Sequence, residues 1–297
     1  IDACLVGSEM CIRDRSNNYN IVNADIILED INNDIWIKEA GEGRLFKYNI
    51  IGSKFDCITC KDENLLYKQK INVFNRSSNG TLFFGTNKGL FLWDGSSKNI
   101  KPAEDVYDLK ISKPYYVSAI ENGDKSTLWI GTNEGLLQIP DLLIENTILF
   151  KKSKDKTSIV SNKINDIEWN SIKKELWVST FDGISKYVPE TNTFLNIQVG
   201  PFANSIIEND VTKILIAEKS GTLWFQTRNR PGINSFKSTY SDFDGPDTSI
   251  MHFEHDPIDP FSIADNDITS FIEDRAGHVW IGTRQNGVSF YSFLKPK

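Results

Sequence analysis

Six bulky aromatic residues recur through this chain at nearly constant spacing, each inside the same short pattern. They are Trp36, Phe83, Trp129, Trp177, Trp224 and Trp280, separated by 47, 46, 48, 47 and 56 residues. The clearest copies are Leu128-Trp129-Ile130-Gly131-Thr132-Asn133-Glu134-Gly135-Leu136 and Val279-Trp280-Ile281-Gly282-Thr283-Arg284-Gln285-Asn286-Gly287-Val288, and Leu82 to Leu90 repeats them with Phe in the Trp place. The weakest copy is Ile35-Trp36-Ile37-Lys38-Glu39, with its glycine at Gly43. A fixed period of this length is the mark of a repeat architecture, in which each unit buries its faces only against its neighbours.

Every repeat reads as strands. An alternating run such as Ile268-Thr269-Ser270-Phe271-Ile272 precedes the anchor, and a Gly- or Asn-rich turn such as Asp274-Arg275-Ala276-Gly277 joins them. After the anchor comes a Thr-x-x-Gly turn, where glycine takes a positive φ at little cost. A third strand follows, then a short fourth such as Thr193-Phe194-Leu195. Helical periodicity is nowhere sustained. The expected fold is therefore all-β, a β-propeller of about six four-stranded blades, with the anchors packed between neighbours. Blade six ends at Tyr291-Ser292-Phe293 without room for a fourth strand, and residues 16–20 are too few and too polar to supply one. Strand counting thus favours six blades cut from a larger ring over a closed six-bladed one. The long last interval is assigned to a loop around Asp256-Pro257-Ile258-Asp259-Pro260.

Residues 1–15 are set aside from this propeller, which is placed at 16–297. Cys4 to Asp14 back-translate codon for codon into a transposase sequencing adapter, and such segments do not inform a fold. The rest holds 31 basic and 37 acidic residues once Arg13, Arg15, Asp2, Glu9 and Asp14 are removed. A mildly acidic chain lacks the field that draws nucleic acid, and no run of about eighteen apolar residues is present to insert into a bilayer. Cys57 and Cys60 lie three apart in what reads as a strand, where side chains at that spacing point to opposite faces, so free thiols are expected.

Catalytic signals are sparse. His252 and His255 also lie three apart and so diverge on a strand, His278 falls in a turn read as exposed, and no nucleophile elbow, phosphate loop or dinucleotide fingerprint occurs. No metal ligand set, cofactor or catalytic residue is assigned.

Ile272-Glu273-Asp274-Arg275-Ala276-Gly277-His278-Val279-Trp280-Ile281-Gly282-Thr283, the Leu128 to Leu136 string and the loop His255 to Ile268 resemble the two-component regulator propeller repeat. The resemblance covers residues from about 24 to 291, with blade one departing most because no Gly-Thr follows Trp36. It implies that the six blades are an incomplete part of a seven-bladed ring, and that the chain is a non-catalytic, periplasmic sensing region of a hybrid two-component histidine kinase of Bacteroidota, responsive to a complex glycan. It also implies partners: an oligosaccharide ligand, a second propeller, a membrane helix and a kinase in the same chain, and a homodimeric parent. A surface scaffold propeller without a kinase is the alternative, and a propeller lyase ranks third.

The repeated path should bring the Thr-x-x-Gly turns to one face. Candidate ligand-binding residues there are Arg228, Arg230, Arg284, Gln285, Lys88 and Asn133. Three arginines on neighbouring blades suit a carboxylate or sulfate, and hence an acidic sugar. The alternative is that these are solvated turn residues.

Overall fold

The computed structural model describes residues 24–292 except 42, 53, 61–64, 96–99, 141–145, 200–205, 207 and 238–249, with backbone alone at 25 and at 3–6, 9–13 and 20–21. Two compact units divide the chain, 1–149 and 150–297.

The first unit opens with a small sheet of β1 (Ala3–Val6), β2 (Glu9–Arg13) and β3 (Asn20–Ile21). Blade one follows as β4 (Ala24–Glu29), β5 (Ile35–Glu39), β6 (Leu45–Asn49) and β7 (Lys54–Cys57), and blade two as β8 (Ile71–Arg76), β9 (Leu82–Thr86), β10 (Gly89–Trp93) and β11 (Lys101–Pro102). Blade three holds β12 (Val117–Asn122), β13 (Leu128–Thr132), β14 (Leu136–Ile139) and β15 (Ile148–Phe150). In the second unit, blade four is β16 (Ile164–Asn170), β17 (Glu175–Thr180), β18 (Gly183–Val188) and β19 (Thr193–Ile197). Blade five is β20 (Val211–Ala217), β21 (Thr222–Thr227), β22 (Ile233–Lys237) and β23 (Met251–Phe253), and blade six is β24 (Ile268–Glu273), β25 (Val279–Thr283) and β26 (Val288–Tyr291). Each of these sheets runs antiparallel in sequence order, four-stranded in blades one to five and three-stranded among the described residues of blade six. This is the blade architecture of a β-propeller.

The anchors are the mortar within each unit. Trp36 joins Ile71, Phe74, Leu82, Phe84 and Trp93 of blade two in one core cluster, and Phe83 joins Tyr115, Val117, Ile120 and Ile130 of blade three in another. Trp177 packs with Val211, Ile214, Leu223 and Phe225 of blade five, and Trp224 with Ile268, Phe271, Val279 and Ile281 of blade six. Each such ring contributes roughly 1.5–3 kcal/mol by leaving water. Five anchors are buried. Trp280 is the exception at 41% exposed, alongside Ile272 and Phe290. The three residues form one cross-strand row, Ile272 opposite Trp280 and Trp280 opposite Phe290, on the face that the other anchors bury against a following blade.

Two local features sharpen the repeat. A register shift interrupts the first strand of every blade, between Ala24 and Ile26, Ile71 and Val73, Val117 and Ala119, Ile164 and Asp166, Val211 and Lys213, and Ile268 and Ser270. Such bulges bend a strand and increase its twist. In blade two the glycine just before the anchor-strand threonine leaves no space for a side chain. A Cβ at Gly85 would lie 2.5 Å from Val117 Cγ1 of the next blade and 2.8 Å from Val73 Cγ1.

Three expectations need correction. Cys57 and Cys60 form a disulfide, with Cα atoms 5.3 Å apart. The strand ends at Cys57, and residues 58–60 turn, so the alternation argued for divergent side chains does not extend to Cys60. His278 is half-buried, bonded to Asp274 and packed on the Phe290 ring at 4.8 Å. The long anchor interval before blade six does not arise in the loop at 256–260, because blade four carries an equivalent loop at 151–163. The extra residues lie between Lys237 and Met251, where blade four has only the short stretch between Val188 and Thr193.

Candidate functional site

The Thr-x-x-Gly turns are closed by one device. The threonine hydroxyl donates to the glycine carbonyl, Thr86 to Gly89 (2.9 Å), Thr132 to Gly135 (2.7 Å), Thr180 to Gly183 (2.9 Å) and Thr283 to Gly287 (2.8 Å). The same oxygen accepts the N–H two residues on in three of these blades, from Lys88, Glu134 and Asp182. These threonines are therefore structural, and the residues between Thr and Gly form the more exposed part of each turn.

A second repeated bond ties the turns of blades three to six to the residue that opens the same blade's first strand. Phe181 N donates to Lys163 O (3.1 Å), Arg228 N to Asp210 O (2.9 Å), Arg284 N to Asp267 O (2.9 Å) and, in the first unit, Asn133 N to Tyr116 O (3.1 Å). The side chains of these partners consequently meet. Arg228 Nε lies 2.5 Å from Asp210 Oδ2, and Arg284 Nε 2.6 Å from Asp267 Oδ2. Lys163 Nζ stands over the Phe181 ring at 5.0 Å. Asn133 Oδ1 accepts Tyr116 N at 2.7 Å.

Blade five departs from the pattern. Its turn, Arg228 to Gly232, is longer, and the Thr227 hydroxyl is buried without a partner among the described residues. A carboxylate replaces the hydroxyl: Glu208 accepts Asn229 N (3.0 Å) and Arg230 N (3.1 Å) and also bonds the Asn229 side chain. Arg230 Nε lies 3.3 Å from His252 Nε2 and 3.9 Å from Glu254 Oε1. His252 in turn bonds Glu254 (2.5 Å) and the buried Asn234 (2.8 Å). His255 is held apart from it, its Nδ1 on the Ile263 carbonyl at 2.8 Å.

Blades four, five and six thus carry Phe181, Arg228, Arg230, Arg284 and Gln285 on their turns in the second unit. Lys88 and Asn133 sit in the first unit, Lys88 exposed and Asn133 committed to Tyr116. Each of the three arginines has an acidic neighbour, residues that sequence reasoning missed. The signal was available: Asn209-Asp210 and Asn266-Asp267 occupy the same place before a first strand that Asn162-Lys163 holds in blade four. Acid stands opposite Arg, and lysine opposite Phe.

This pairing changes the chemistry on offer. An arginine beside a carboxylate has little net field for a free anion, but it offers donor and acceptor side by side. A sugar hydroxyl both donates and accepts, so a polyol answers such a couple better than a carboxylate or sulfate does. Phe181, 47% exposed, adds an apolar ring on the same kind of turn. Among the described residues, no cluster of three His, Cys, Asp or Glu is arranged to hold a metal ion.

Residues 262–285, which include Asp267, Trp280 and Arg284, match the family model described as two component regulator propeller. No curated protein sequence matches the chain. Among solved structures, the chain is similar to the extracellular domain of the hybrid two component system BT3049 from B. thetaiotaomicron, at 20% identity and a TM-score of 0.64, over 98% of this chain and 38% of that one. It therefore spans about two-fifths of that relative. It is also similar to virginiamycin B lyase from Staphylococcus aureus solved with quinupristin (14% identity, TM-score 0.58, 97% and 88% covered). A third likeness is to PorZ, a surface component of the type-IX secretion system of Porphyromonas gingivalis (17%, 0.56, 95% and 41%). At these identities the likeness is one of fold. The chain is a β-propeller that carries a two component regulator propeller repeat at residues 262–285.

Proposed function

We propose that this chain is a non-catalytic, extracytoplasmic recognition region of a hybrid two-component sensor, and that it binds a neutral portion of a complex glycan along the turns of the second unit. The observation that carries the reading is the regulator-propeller repeat at 262–285, because that stretch supplies both members of the Arg284–Asp267 couple. The likeness to the extracellular domain of a hybrid two component system supports the same placement. So does the Cys57–Cys60 disulfide, since such bonds persist in oxidising compartments. A fold shared with a lyase and a secretion component does not itself assign an activity.

The recognition surface consists of Phe181, Arg228 with Asp210, Arg230 with Glu254 and His252, and Arg284 with Asp267 and Gln285. Titration calorimetry against neutral, uronic-acid-containing and sulfated oligosaccharides tests it. Binding should be strongest for a neutral oligosaccharide, should depend little on salt, and should drop about tenfold in Arg284→Ala or Phe181→Ala. Binding of none of the sugars would overturn the glycan reading. Binding of acidic sugars alone, with steep salt dependence, would restore the arginines as an anion site.

A further inference from the structure

In the first unit, residues 103–116 connect blade two to blade three by a loop that closes on itself. Ala103 O accepts Val106 N (3.0 Å) and Tyr107 N (2.8 Å), which turns the chain at the entrance. Glu104 holds the exit. Tyr115 Oη donates to its Oε1 at 2.6 Å, and Lys113 Nζ lies 2.8 Å from its Oε2. Burial first, and then the Glu104 carboxylate, push the Tyr115 hydroxyl well above its ordinary value, so it stays a donor. The same hydroxyl accepts Leu90 N of β10 (3.2 Å), which ties this neck to blade two. Gly89 of the blade two turn gives the neck its room, because a Cβ there would lie 3.1 Å from Lys113 Cε and 3.5 Å from Glu104 Oε1.

Between its ends the loop is anchored from within. Tyr107 and Leu109 are buried in the core cluster shared by blades two and three, with Val106 and Ile111 packed partly against it. The Thr147 hydroxyl, from the segment that leads into β15, donates to the Asp108 carbonyl. With Tyr107 and Leu109 turned inward, Asp108 and Lys110 are left exposed. Lys110 takes a φ of +55°, and its ammonium pairs with the Asp108 carboxylate. A compact loop whose ends meet and whose own side chains pack it is a preformed surface, and such loops often carry function.

The loop surrounds a cavity of about 580 Å³ lined by residues 104–112, within the range of roughly 300–1,000 Å³ common for small-ligand sites. Its walls carry acid–amine couples of the kind seen on the second unit's turns, here in a hollow. Glu104 stands beside Lys113, and Asp108 beside Lys110. Hydrogen bonding from Lys110 holds the Asp108 carboxyl below its ordinary 3.8, so the couple is ionic at neutral pH. Asp105 is exposed and has no side-chain partner among the described residues. A carboxylate of this kind accepts from two hydroxyls at once. Val106 and Ile111, both half-buried, give the cavity apolar wall on which ring C–H groups can rest.

We propose that this cavity is a second glycan subsite, separate from the turns of the second unit, which takes one neutral sugar residue. Asp105 accepts two adjacent hydroxyls of that residue, and the Asp108–Lys110 couple bonds a third as acceptor and donor together. The ligand class rests on the glycan reading above, while the site and its geometry do not. Charge selects against acidic sugars, since Glu104, Asp105 and Asp108 face only Lys110 and Lys113. Anchoring by Tyr107, Leu109 and Thr147 means that little order has to be imposed when the sugar enters, which favours binding.

The whole chain, fluorescently labelled, is applied to a printed array of neutral, uronic-acid-containing and sulfated oligosaccharides, and the best-bound neutral one is titrated by calorimetry. Asp105→Ala and Lys110→Ala, both at exposed positions that leave the core intact, should each weaken that sugar about tenfold. The bound sugar should also slow amide hydrogen exchange across residues 104–112. Losses in Arg284→Ala and Phe181→Ala, with none in either loop variant, would overturn this subsite and leave the second-unit surface standing. Losses in the loop variants alone would support the subsite and remove that surface. An array response confined to acidic sugars would overturn the subsite, as would a bound neutral sugar that leaves exchange at 104–112 unchanged.

Discussion

Replacing Trp36 and Trp224 by phenylalanine should have very different costs, although both rings are buried anchors of the same repeat. Trp36 Nε1 donates to Asp30 Oδ2 at 2.7 Å, and Asp30 also accepts Asn32 N, Asp34 N and the Lys47 ammonium at 3.2 Å. Trp224 Nε1 is buried with no acceptor among the described residues. The residue six places before it is Glu218, whose carboxylate is turned to Ser171 N at 2.6 Å. Trimming indole to phenyl in a packed site costs both variants about 1–2 kcal/mol. Trp36→Phe also removes a hydrogen bond to a buried carboxylate, about 1.5–3 kcal/mol, whereas Trp224→Phe removes an unsatisfied N–H and regains about 1–3 kcal/mol. The first variant should therefore lose roughly 2.5–5 kcal/mol and the second should stay near the parent. Urea unfolding followed by far-UV circular dichroism at pH 7 reads the difference, provided the slope with denaturant is unchanged. Acid adds an independent readout. Burial alone would raise the Asp30 carboxyl, but the Trp36, Asn32 and Lys47 donors outweigh it and hold the group below its ordinary 3.8. A depressed carboxylate stabilises the fold above its unfolded value and loses that contribution as pH falls through the folded one. Trp36→Phe should start to fail at a higher pH than the parent. Equal losses in the two variants, with an unmoved acid limb, would refute the reasoning.

Three further outcomes follow from the packing. Gly85→Ala should destabilise by about 1–3 kcal/mol through overpacking against Val117 and Val73, read as a lowered denaturant midpoint; an unchanged midpoint would deny the close approach of blades two and three. Burial raises the Asp166 carboxyl to about 6, despite backbone donation from Ile214 and Ile167. The proton it holds stabilises the fold fully below 3.8 and is lost as pH rises through about 6, so the melting temperature should carry a declining component across that window, absent in Asp166→Asn. Alkylation of the native protein should label neither Cys57 nor Cys60 until a reductant is added, and labelling without reductant would exclude the disulfide.

The fold was legible because the repeat obliges it. An aromatic anchor every 46 to 48 residues, with one interval of 56, and a threonine–glycine turn after five of the six leave few ways to bury a ring except between similar sheets. What escaped the sequence was geometry one step finer than alternation. The strand reading of residues 54–60 did not foresee that the ladder stops at Cys57, and the turn brings Cys60 back to it. Trp280 matches the anchor pattern as well as Trp177 does, yet exposure is decided by what lies across the sheet, which no pattern within one repeat encodes. The bulges in the first strands do leave a residue signature, a short polar residue at each unpaired position (Asp25, Asn72, Ser118, Asn165, Thr212 and Thr269), which hydrophobic alternation passes over.

The candidate site was half legible for a related reason. Turn residues were read one blade at a time, and three arginines then looked like a cationic sector. In blades three to six, however, the turn N–H reaches the carbonyl of the residue opening the first strand, so residues 17 or 18 positions apart become neighbours. Tyr116 with Asn133, Lys163 with Phe181, Asp210 with Arg228 and Asp267 with Arg284 are four solutions of one local problem. Because both members can vary together without touching the core, the blade tolerates any complementary couple there. Selection for a ligand can therefore act on couples rather than on single residues. An edge evolved for an anion would leave its arginines facing solvent without acids behind them. An edge of neutral couples flanked by Phe181 instead presents alternating donors, acceptors and an apolar ring, which is how a hydroxyl-rich molecule with apolar C–H faces is held.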